Sequence, residues 1–93
     1  MKKLDQRLKD VQRRGNLTVA DLARWFDRPD PTVREWCKGR EPTGAPLDVE
    51  HVYELLNLLE TLIRKKLNFP VPRLSAPKRK AYLIDVRKRV FPN

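Results

Sequence analysis

Lys78, Arg79 and Lys80, followed by Arg87, Lys88 and Arg89, form two basic clusters near the end of a 93-residue chain. Guanidinium and ammonium groups at this density attract a polyanion, and DNA phosphates are the usual one. The excess is local. Residues 1–63 hold eleven Lys or Arg against eleven Asp or Glu, so their net charge is zero. Residues 64–93 hold ten Lys or Arg against Asp85 alone, and carry the whole formal charge of +9. Other chemistry is sparse. No Ser-His-Asp arrangement has supporting spacing, and there is no glycine-rich phosphate loop. His51 stands alone on a helical segment, without a second metal ligand nearby, and reads as a surface residue. Cys37 has no zinc spacing around it and reads as a small core residue. The expectation is a protein without catalytic residues, cofactor or metal.

The elements that position these charges are helices. Thr18 to Gly39, TVADLARWFDRPDPTVREWCKG, reads as two short helices with a tight break. Thr18 is a good N-cap and Asp21, three residues later, completes a capping box, with Leu17 and Leu22 placed for a hydrophobic staple. Val19, Leu22, Ala23 and Phe26 fall on one face at helical spacing. Ala23 faces the crossing, where a small side chain lets two helices approach. Asp27-Arg28-Pro29 is the break, and Asp tolerates the left-handed or bridging backbone a sharp turn can need. The next helix is expected to start with Asp30 as N-cap and Pro31 in its first position. Val33 and Trp36 form its inner face, with Cys37 beside them, and Gly39 ends it as a left-handed cap. Its outward residues are Thr32, Arg34, Glu35 and Lys38. This is helix-turn-helix spacing, which holds the second helix out where it fits the DNA major groove.

The segment resembles the helix-turn-helix of the lambda-repressor-like family and the related excisionase-type and small-terminase-type DNA-binding domains of phages. The matching residues are Leu22-Ala23, then Val33, then Trp36, with Gly39 and Pro42 completing a W-x-x-G-x-x-P ending. The family usually has Gly where this chain has Asp27, an aliphatic residue where it has Arg28, and often Ser where it has Pro29. The resemblance implies a recognition helix whose Thr32, Arg34, Glu35 and Lys38 meet base edges, with Arg28 and Arg40 on phosphates. Glu35 has a plainer alternative, an ion pair with a neighbouring Arg or Lys.

Five helices are expected overall, giving an all-α fold: a small helix-turn-helix bundle with a basic C-terminal extension. Residues 3–14 carry Leu4, Leu8 and Val11 on one stripe, and Gly15 ends them. Residues 40–47 are turn-rich. A long helix follows from about Asp48 to Lys66, where Lys65 and Lys66 suit the helix dipole. Its apolar residues, from Val49 to Ile63, make a stripe too wide for one buried side. Part of it should cover the helix pair; the remainder could face a second subunit. Pro70 and Pro72 force extended backbone over 67–74, expected as a linker or an arm on a neighbour. Ser75 then caps a last helix, about 76–90. These features divide the chain into a DNA-binding domain, 1–66, and a linker with a basic helix, 67–93. Trp25 lies off the main stripe and should pack on another helix; Trp36 should be core.

A single Cys excludes an internal disulfide framework and suits a reducing cytoplasm. No apolar run approaches a membrane span and no signal-peptide pattern is present. The expected function is sequence-specific binding of double-stranded DNA by a small, phage-like transcription regulator. It would be cytoplasmic, or associated with the nucleoid. Arg28, Arg40, Lys78, Arg79, Lys80, Arg87, Lys88 and Arg89 would hold phosphates. The expected partners are DNA and further copies of the chain, a homodimer or higher homo-oligomer formed through residues 48–66 and the C-terminal segment, with no membrane partner. One alternative is a phage-type DNA-packaging or recombination accessory protein. Another is a protein-interaction module using the 48–66 face and the basic tail.

Overall fold

A computed structural model describes residues 3–91. Five α-helices follow one another, and no strand occurs among the described residues: α1 Leu4–Gly15, α2 Val19–Phe26, α3 Asp30–Cys37, α4 Pro46–Arg64 and α5 Ala76–Val90. The fold is the expected small all-α bundle.

Helix α1 buries Leu4, Leu8 and Val11 on the stripe their spacing predicts. The left-handed residue after it is Asn16, at φ 54°, while Gly15 is the last helical residue. Gly15 is needed for space instead. A Cβ there would lie 3.0 Å from both Ile63 Cδ1 and Leu17 Cδ1. That closeness lets the end of α1 meet α4, and the Gly15 carbonyl accepts from the Val71 amide at 2.8 Å.

Helices α1 and α4 run in the same direction. Leu4 and Tyr53 line one recess, Arg7 reaches Asn57 and Glu60, and Gly15 meets Ile63. Arg7 Nη2 donates to Glu60 Oε1 and to Asn57 Oδ1, each at 2.6 Å, and Nε donates to Glu60 Oε2 at 3.1 Å. The hydrogen bond to the Glu60 carboxylate drives the Arg7 pKa further up.

Helix α4 begins two residues before the expected start, because Pro46 suits the first helical position and Ala45 enters extended at ψ 144°. Its wide apolar stripe is largely consumed within the chain. Val52, Leu55, Leu56, Leu59 and Leu62 are buried, and Tyr53, Leu58 and Ile63 pack partly buried against the same core. The segment after α4 is not a separate arm. Phe69 and Val71 turn back into the core, as do Leu83 and Val86 of α5. Residues on both sides of the expected boundary at 66 therefore share one core. Each fully buried Leu or Val in it stabilises the fold by roughly 1.5–3 kcal/mol through removal from water.

Trp25 explains why the returning segment packs where it does. Its indole N–H donates to the Leu55 carbonyl at 2.9 Å, which satisfies the one polar atom of a buried ring. Phe69 meets it edge-on with centroids 6.4 Å apart, and Phe91 covers it at 5.9 Å. A Trp off the α2 stripe is thus the seat for both ends of the C-terminal segment.

Candidate nucleic-acid interface

The α2–α3 unit is positioned by local chemistry. Thr18 Oγ1 accepts from the Asp21 amide at 3.1 Å, and Asp21 Oδ2 accepts from the Thr18 amide at 2.9 Å. The reciprocal pair satisfies two amides that a helix start would leave open. Leu17 and Leu22 are both buried beside it. At the other end Asp27 takes the left-handed conformation, φ 56° and ψ 51°, and the Arg28 amide closes onto Ala23 O at 3.0 Å. Gly is usual there because it adopts that backbone without a Cβ penalty; Asp does so at some cost.

Helix α3 starts one position differently from expectation. Pro29, extended at φ −60° and ψ 147°, is the N-cap; Asp30 is the first helical residue and makes no side-chain cap bond. The Pro29 carbonyl instead accepts from the amides of Thr32 and Val33. Proline at 29 fixes the extended entry by its ring, so the helix can begin without a side-chain cap. Lys38 is the C-cap, and Gly39 follows at φ 108°.

The inner side of α3 is fixed. Val33 is fully buried, Trp36 nearly so, and the Trp36 ring meets Phe26 edge-on at 5.6 Å. Burial pushes the Cys37 thiol pKa up; Lys9 opposes this and Asp5 adds to it. Pro31, Arg34 and Lys38 are exposed, and Thr32 and Glu35 are half-buried. Arg34 and Lys38 are one turn apart on the same outward stripe. Neither side chain has a hydrogen-bond or ion-pair partner among the described residues.

The remaining expected base-contact residues are less free. Glu35 Oε2 lies 3.3 Å from Arg40 Nε, so the plainer alternative for Glu35 is realised. Thr32, Glu35, Trp36 and Arg40 line a recess of about 210 Å³ behind the outward stripe. Arg28 is half-buried and makes only a long bond, 3.4 Å, to the Asp27 carbonyl.

The C-terminal cations divide into two groups. Arg79 and Arg87 are spent on the fold. Arg79 Nε donates to Asp21 Oδ2 at 2.9 Å, and its Nη2 donates to the Asn16 carbonyl. Asp21 is only 1% exposed, and the Arg79 side chain 14%. Arg87 Nη1 donates to the Arg24 carbonyl at 2.9 Å, and its guanidinium lies 5.8 Å from the centre of the Phe91 ring. Arg87 Nε is buried with no partner. The order of these contacts makes α5 run in the same direction as α2: Arg79 at its start, Arg87 and Phe91 at its end. Arg89 pairs with Asp85 at 2.7 Å. Lys78, Lys80 and Lys88 remain exposed and without a partner among the described residues.

Sequence reasoning saw Asp21 only as a capping residue. It did not find that the same carboxylate is the buried counter-ion of Arg79, because a partner 58 residues away leaves no periodic trace. It read Lys65 and Lys66 only against the helix dipole and gave Arg64 and Arg73 no individual role, although all four are exposed.

Among the described residues no helix is long and apolar enough to cross a membrane, and no cluster of His, Cys, Asp or Glu could hold a metal ion. No family model, curated protein or solved structure matches the chain.

Proposed function

We propose that this chain is a non-enzymatic, sequence-specific binder of double-stranded DNA that lays α3 in the major groove, in the manner of a small transcription regulator. The observation that carries the proposal is the outward stripe of α3. A short helix with its inner side locked by Val33 and Trp36 presents Arg34 and Lys38 to solvent, and no carboxylate among the described residues pairs with either. Burial of the inner side fixes the helix, so little further ordering is needed on binding.

In this reading Arg34 donates two hydrogen bonds to O6 and N7 of a guanine, the commonest specific contact in that groove. Lys38, one turn on, meets a guanine edge or a phosphate. Thr32 touches a base edge from the flank of the same helix. Glu35 is held by Arg40, so it accepts from a cytosine amino group only if that pair opens. Arg28, Arg40, Lys78, Lys80 and Lys88 supply phosphate contacts, which set register but carry no sequence information. Arg79 and Arg87 do not belong to this set, because their guanidinium groups tie α5 to α2. Such a role places the protein with DNA, in the cytoplasm or at the nucleoid.

The test is selection from a random duplex library, run with wild type and Arg34→Ala. The proposal expects an enriched motif containing a guanine whose selection Arg34→Ala abolishes. Absence of duplex binding at low salt would reject it in favour of a protein-interaction role.

A further inference from the structure

Helix α4 is electrically polar along its length, beyond any helix dipole. Residues 41–63 contain five carboxylates and no Lys or Arg. Glu60 is taken by Arg7, which leaves Glu41, Asp48 and Glu50 exposed at or near the start of α4 and Glu54 exposed midway along it. Of these, Glu54 has only His51 near it, at 3.8 Å, and the others have no partner among the described residues. The other end reads Arg64-Lys65-Lys66-Leu67, all exposed, with exposed Arg73 close behind in sequence.

Each charged end also holds an exposed leucine. Leu47 is 78% exposed at the acidic end, and Leu67 is 50% exposed at the basic end. They are two of the three large hydrophobic residues exposed among those described. Nineteen helical residues span about 28 Å, and the longest extent of the molecule is 31 Å. The two ends therefore lie on opposite sides of the protein, and neither can satisfy the other within one chain.

We infer that the acidic end of α4 on one copy docks on the basic end of α4 on a second copy. The two faces match in charge, and each offers one apolar side chain to exclude water from the contact. The occupant is this chain itself, because it carries both complementary faces. The contact uses neither Arg34 nor Lys38, so it stands apart from the DNA reading.

The experiment is sedimentation velocity of the full chain, without DNA, at low and high salt from micromolar to millimolar concentration. Wild type is expected to rise above its 11.0 kDa monomer mass at low salt and to return to it at high salt. Asp48→Lys/Glu50→Lys/Glu54→Lys leaves Glu41 alone against three lysines and gives two basic ends, and Arg64→Glu/Lys65→Glu/Arg73→Glu leaves Lys66 alone against three glutamates and gives two acidic ends. Each alone should lose association by at least about a hundredfold, because like charges meet. An equimolar mixture should recover it, since the first variant keeps a native basic end and the second a native acidic end. Leu47→Ser, at an exposed position outside the core, provides a check with no charge change and should weaken the association. A wild type that stays monomeric throughout at low salt overturns the inference. So do charge variants that associate as well as wild type alone, or folded variants whose mixture recovers nothing.

Discussion

Helices α3 and α5 differ in what their cations do. On α3, Arg34 and Lys38 stand on the outward stripe with no partner among the described residues. On α5, Arg79 and Arg87 turn inward, onto Asp21 and the Arg24 carbonyl. The region that is neutral in total therefore offers the freer arginine, and the region that holds the whole formal excess spends two of its arginines on packing. Net charge counts ionised groups; only the fold decides which of them a polyanion can reach.

The contrast breaks most sharply at Arg79. Arg79→Ala removes the closer partner of the buried Asp21 carboxylate and leaves Arg24 Nη1, at 3.7 Å, as its cation, so it should cost about 1.5–3 kcal/mol of stability. Urea unfolding reads this directly, and a loss below about 1 kcal/mol would mean that Arg79 is not holding α5 to α2. Arg34→Ala should do the opposite. It should cost ~1–3 kcal/mol in affinity at the preferred site and change stability by no more than about 0.5 kcal/mol. Equilibrium binding and urea melts on the same preparation separate the two effects.

Smaller effects sharpen the picture within α5. Lys78→Ala, Lys80→Ala and Lys88→Ala should each weaken binding to all sequences alike and lower the salt slope by about one. Affinity titrations across salt concentrations measure this, and unchanged slopes would remove the last helix from the interface. The smallest perturbation tests the lock on α3. A raised pKa means less thiolate at a given pH, so Cys37 should react with a disulfide reagent more slowly than free cysteine at mildly alkaline pH. Urea should abolish the difference. Rapid reaction in the native protein would show that the inner side of α3 is loosely held.

Much of the fold is legible because it is local. The Thr18–Asp21 capping box, the left-handed Asp27, the Val33 and Trp36 inner face and the last helix all follow from residues within a few positions of one another. Boundaries slipped where two residues compete for one task, as with Pro29 and Asp30 before α3, or Gly15 and Asn16 after α1. The wide stripe of α4 suggested a second subunit, whereas most of it is covered by the chain's own helices and returning tail. Trp25, Phe69 and Phe91 decide that return, and their meeting has no signature in spacing. The division of the C-terminal cations was hidden for the same reason. Arg79 and Lys78 are neighbours in sequence, and only a carboxylate on another helix tells them apart.

The central claim is that α3 reads DNA while the α5 arginines hold the fold. Its most direct test is duplex-library selection with sequencing of the bound fraction, for wild type and Arg34→Ala side by side. The account predicts a wild-type motif whose guanine preference disappears in the variant while general, salt-sensitive binding persists. An identical motif from both proteins, or none from wild type, would contradict it.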